Sequence, residues 1–112
     1  MTEIFDLKKL GVFSQKHGQL NTVENRRRVK TDLLKTRNFN VVLICLETGQ
    51  GIPSRPEPYA VCFYVIDGKG AFTVGNQKVE LTRGGMIFAP ADEARGILSV
   101  ERLTLLGIQD PH

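Results

Sequence analysis

From residue 27 onward, apolar and polar positions fall into short runs rich in Val, Ile, Leu, Phe and Thr, separated by glycine, proline and asparagine. Runs of five to nine residues bounded in this way carry the period of β-strands and not of amphipathic helices. The pattern predicts eight short strands: Arg27 to Lys35, Asn40 to Glu47, Tyr59 to Asp67, Gly70 to Val74, Gln77 to Leu81, Met86 to Ala89, Gly96 to Ser99 and Glu101 to Gly107. Two turns follow from local chemistry. Asp67-Gly68-Lys69-Gly70 and Gly75-Asn76 both offer residues that tolerate positive φ, so each predicts a hairpin. The first twenty residues are less patterned, and Ile4 to Leu10 fits either a helical turn or an extended arm. The chain therefore divides into an N-terminal arm, 1–20, and a β-barrel domain, 21–112.

Many short antiparallel strands must hide their edges, and closing two sheets on each other does so. An all-β jelly-roll barrel is the simplest architecture, with alternate residues of each strand facing a filled core or a small cavity. A length of 112 residues, 41% hydrophobic and 24% charged, suits one such domain. No run approaches 18 apolar residues, and the first dozen residues mix acids with lysines. No membrane span and no signal peptide are expected. Cys45 and Cys62 both lie inside apolar runs, as small buried hydrophobes do, which predicts thiols instead of a disulfide and a cytoplasmic setting.

Charge adds one feature. The net +3 conceals a segment, 26–37, in which Arg26, Arg27, Arg28, Lys30, Lys35 and Arg37 face only Asp32, so the rest of the chain sums to −2. Three consecutive arginines cannot all share one strand face. The segment reads as an exposed or interface strand in which Val29, Leu33 and Leu34 serve a subunit contact. Nucleic-acid binding is the minor reading of this segment.

Spacing is more specific further on. Gly49, Arg55, Glu57, Val61 and Gly68 are separated by five, one, three and six residues. After fifteen more come Gly84, Pro90, Asp92, Arg95 and Ser99, separated by five, one, two and three. This double frame resembles the two motifs of the small single-domain cupins, over roughly Asn38 to Ile108. The phrase Gly49-Gln50-Gly51 with Pro58-Tyr59 is similar to a subgroup of type-2 cupins. The resemblance implies a double-stranded β-helix (cupin jelly-roll) barrel, pairing as a homodimer. In that frame Gly68 and Gly84 serve tight turns, and Pro90 ends a strand where no ladder N–H is needed.

In metal-binding cupins three His and one Glu of these motifs hold a divalent ion. Here Arg55, Glu57, Val61 and Arg95 occupy those places, and arginine offers no lone pair. His17 and His112 would need both ends of the chain to meet. The expectation is no metal and no cofactor. Ser54 and Ser99 lack a histidine partner, and the glycines form no phosphate loop, so nucleophilic catalysis is unsupported and no catalytic residue is assigned.

If Arg55 and Arg95 face inward, their buried charge requires a partner anion. One reading is a small ligand bearing a carboxylate, sulfate or phosphate, held by Arg55, Glu57, Tyr59, Val61, Phe63 and Arg95, with Val65, Met86 and Phe88 as further apolar walls. The other is a closed Arg-Glu-Arg cluster through Glu57, or an Arg95 drawn outward by Asp92 and Glu93. An enzyme alternative, a cofactor-independent isomerase or lyase, would use Glu57 as base, Tyr59 as acid and both arginines to stabilise an enolate or carboxylate. A further alternative is an interaction module acting through 26–37.

Overall fold

The computed structural model describes residues 2–11, 13 and 28–112. A helical turn, α1 (Leu7–Leu10), precedes seven strands: β1 (Arg28–Lys35), β2 (Asn40–Leu46), β3 (Gly51–Pro56), β4 (Val61–Val74), β5 (Gln77–Thr82), β6 (Met86–Ala89) and β7 (Ala94–Gln109). All pairings are antiparallel. β4 and β7 pair with each other along most of their length, from Val61 opposite Gln109 to Val74 opposite Arg95. Near one end they are flanked by β2 and β6, with β1 outside β2; near the other they are flanked by β3 and β5. Two sheets thus share two long bent strands, and the fold is an all-β jelly-roll barrel.

That sharing corrects the expected segmentation. Asp67-Gly68-Lys69-Gly70 is not a hairpin; it is the bend of one continuous strand, where the β4–β7 register shifts three times between Val65 and Gly70. Gly68 has φ +89, and a Cβ there would lie 1.8 Å from the Arg102 carbonyl oxygen. Glycine is needed for the close approach of two backbones, the use it has at bulges and barrel corners, and not for a turn. The expected break at Val100 is likewise absent: β7 runs through it, with the Ser99 hydroxyl donating to the carbonyls of Glu101 (2.6 Å) and Leu46 (3.4 Å). The Gly75-Asn76 hairpin forms as expected, with Val74 opposite Gln77. β3 is not expected from the sequence, because Pro53 and Pro56 disguise a short strand that, among the described residues, pairs with β7 alone.

Alternate residues of the strands build the core: Val42, Ile44 and Leu46 of β2, Val61, Phe63 and Val65 of β4, Leu103 and Leu105 of β7. Leu43 and Cys45, on the opposite face of β2, are buried too. This strand is covered on both faces, which is why VVLICL reads as an unbroken apolar run. The N-terminal segment contributes to the cover. Asp6 caps α1 by accepting from the Lys9 N–H at 3.3 Å, Gly11 sits beside the Cys45 sulfur, and the Arg102 guanidinium lies 3.8 Å from the Phe13 ring centroid. Neither cysteine forms a disulfide. His17 and the remainder of the expected arm, and Arg26 and Arg27 of the basic segment, lie outside the described residues. Among the described residues no helix is long and apolar enough to cross a membrane.

Candidate ligand site in the barrel

Strand register decides which side chains enter the barrel. Directly opposed residues share a sheet face, so Arg55 and Arg95, opposed across β3 and β7, share one, as do Val61 and Gln109 across β4 and β7. Arg55, Glu57, Tyr59, Val61, Phe63 and Arg95 all line one cavity of about 70 Å³. Lys30, Ile44, Ile52 and Gln109 complete it.

The two arginines differ in what holds them. Arg95 is 5% exposed and spends its planar fork on backbone: Nε donates to the Glu93 carbonyl (2.8 Å), one terminal nitrogen to the Tyr59 carbonyl (2.9 Å) and the other to the Pro90 carbonyl (2.7 Å). Among the described residues, three of its five donors are used. Asp92 and Glu93 therefore do not draw Arg95 outward; the Glu93 backbone, not its carboxylate, receives it. Arg55 stands at the exposed rim, with its Nε 3.0 Å from Glu57 Oε1. The closed Arg-Glu-Arg cluster is thus only half present. Glu57 pairs with Arg55, while among the described residues no carboxylate lies within ion-pair distance of Arg95.

Tyr59 links these groups. Its ring lies 5.4 Å from the Arg95 guanidinium carbon, and its phenol stands near enough to the Glu57 carboxylate to feel that charge. Burial, and next the Glu57 charge, push its pKa above the ordinary value of 10.0, so the phenol keeps its proton. His112 stacks on the Tyr59 ring, with centroids 3.9 Å apart and planes 3° from parallel, and its Nε2 lies 3.0 Å from Gln109 Oε1.

Three expected walls fall elsewhere. Val65 is fully buried in the core and does not reach the cavity. Met86 and Phe88 are 63% and 59% exposed, because β6 presents them on the outer face of the barrel, with only Ile87 and Ala89 turned inward. Conversely, sequence reasoning misses Lys30 and Gln109, which line the cavity, and His112, which packs beside it against Tyr59. Lys30 is opposite core Ile44 in the β1–β2 register, so it faces inward from a strand whose sequence reads as merely basic. Gln109 continues the inward parity of Leu103 and Leu105, a signal lost when the last strand is ended at Gly107.

The family is decided by sequence: a model of the Cupin domain matches residues 42–105, more than half of the chain. The chain belongs to the cupin family. This cupin is 31% identical over 61 residues to an uncharacterised protein of Streptomyces coelicolor, a match spanning 54% of this chain and 58% of that relative's length. Its fold is similar to a crystal structure from Thermus thermophilus (TM-score 0.83, 23% identity, 98% of each chain). It is also similar to KdgF from Halomonas sp. (TM-score 0.74, 16% identity, 91% of this chain and 94% of the other). A third likeness is the cupin domain of Schizosaccharomyces pombe Cnp3 (TM-score 0.68, 18% identity, 76% of this chain and 65% of the other). At these identities the structures establish the fold alone.

The metal of other cupins does not fit the donor set of this one. Two guanidinium groups and an isopropyl group stand at motif positions where lone pairs are required, and Glu57 is already paired with Arg55. Among the described residues no three His, Cys, Asp or Glu side chains converge.

Proposed function

We propose that this cupin binds a small anion in its barrel without metal chemistry. The observation that carries the reading is the charge of one cavity: among the described residues, Lys30, Arg55 and Arg95 against the single carboxylate Glu57. A guanidinium as buried as Arg95 is costly unless an acceptor of opposite charge compensates it, and carbonyl dipoles supply only part of that compensation. Its two uncommitted N–H bonds suit a carboxylate or an oxyanion. A volume of about 70 Å³ suits a small molecule.

Thermal unfolding at low ionic strength with formate, acetate, sulfate and phosphate tests this, since a ligand that binds only the folded state raises Tm. At least one anion should raise it, and the double variant Lys30→Gln/Arg55→Gln should lose most of the rise. No response to any anion, or a response unchanged in the double variant, contradicts the reading.

One observation favours a second reading, a cofactor-independent isomerase or lyase: a protonated phenol and a carboxylate, Tyr59 and Glu57, stand together at the wall of the same cavity. That pairing suits proton delivery beside an anion-stabilising arginine. It requires turnover that survives chelator and disappears in Glu57→Gln.

A further inference from the structure

The proposed anion site contains a polar group that an anion alone does not explain. Gln109 is 7% exposed and lines the cavity. Its side-chain oxygen faces His112 Nε2 at 3.0 Å, while its NH2 group has no acceptor among the described residues. A buried amide left without an acceptor is destabilising, so such a donor marks a place where a partner is expected.

The position of Gln109 narrows that partner. It is directly opposite Val61, whereas Arg95 holds the carbonyl of Tyr59, two residues earlier in the chain. Arg95 and Gln109 line the same cavity, so a molecule with two adjacent polar groups can meet both, one hydrogen bond at each end. Around it Ile44, Ile52, Val61 and Phe63 offer only apolar surface. About 70 Å³ holds roughly five waters, hence a ligand of about five or six non-hydrogen atoms.

We infer that the ligand is a two- or three-carbon carboxylate with a hydroxyl or carbonyl oxygen on the carbon next to the carboxylate. The carboxylate meets the uncommitted N–H bonds of Arg95 and the Lys30 ammonium. The neighbouring oxygen accepts from the Gln109 NH2, and the remaining carbon lies against Ile52 and Phe63. Gln109 is then the residue that selects oxygenated acids over plain ones, because a plain acid leaves the amide unsatisfied. This inference rests on the anion reading, and its failure is separable from that reading's failure.

The test is calorimetric titration of the full chain with glycolate against acetate, and with lactate and pyruvate against propionate. The wild type should bind the oxygenated acid about tenfold more tightly in at least one matched pair. Gln109→Leu should erase that preference while the plain acids keep their affinity; should it not fold, Gln109→Met removes the same donor. Equal affinity within every pair overturns the inference and leaves the anion site standing, as does a preference that survives loss of the amide. If no organic acid binds and sulfate and phosphate are silent as well, both readings fall.

Discussion

Arg55 and Arg95 are direct partners across the β3–β7 ladder, yet one pairs with a carboxylate at the rim and the other clamps three carbonyls inside. The Arg95 fork ties Tyr59, at the approach to β4, to Pro90 and Glu93, the turn between β6 and β7. Arg95→Ala should therefore destabilise by about 2–4 kcal/mol in urea denaturation, because three carbonyls lose their donor. Arg95→Lys should not restore it, since an ammonium cannot reproduce the planar fork. Arg55→Ala should cost less than about 1 kcal/mol, as expected of a solvent-screened pair.

Gly68 distinguishes a close approach from a turn. A turn glycine at positive φ accepts asparagine at small cost, but here any Cβ meets the Arg102 carbonyl. Gly68→Asn and Gly68→Ala should be similarly damaging, each lowering stability by more than about 2 kcal/mol in chemical denaturation. Asparagine behaving like glycine would contradict the bend.

These positions show what was legible in the sequence. Inward alternation and the two spaced motifs are local properties, so the barrel and the clustering of six of the cavity's residues could be read from the chain. Register between distant strands is not local. Lys30 and Gln109 gain their inward direction from being opposite Ile44 and Val61, and Met86 and Phe88 face outward because Ile87 and Ala89 take the core side of a four-residue strand. The glycines of Asp67-Gly68-Lys69-Gly70 have turn chemistry, and only the packing of β7 against them makes a bend instead.

The outer position of β6 has a measurable consequence. Phe88→Ser should change stability by less than about 1 kcal/mol, whereas Phe72→Ala, at a fully buried ring, should cost about 3–5 kcal/mol. Comparable losses at both sites in urea denaturation would mean that Phe88 is packed.

Tyr59 sets an alkaline dependence. Its pKa is raised in the folded protein, so the folded state holds the proton more tightly than the unfolded chain. That contribution is complete below the unfolded value near 10 and is lost as pH rises through the folded value. Stability should fall above pH 10 more steeply in the wild type than in Tyr59→Phe. Ultraviolet titration should resolve one of the two tyrosines above the ordinary range. Parallel stability curves for the two proteins would contradict the environment described.

Anion binding in the barrel is tested most directly by an anomalous difference map from crystals grown in bromide. A bromide should lie between Lys30 and Arg95, within reach of the guanidinium N–H bonds. A barrel without halide at high bromide concentration, or one holding a coordinated cation, would contradict it.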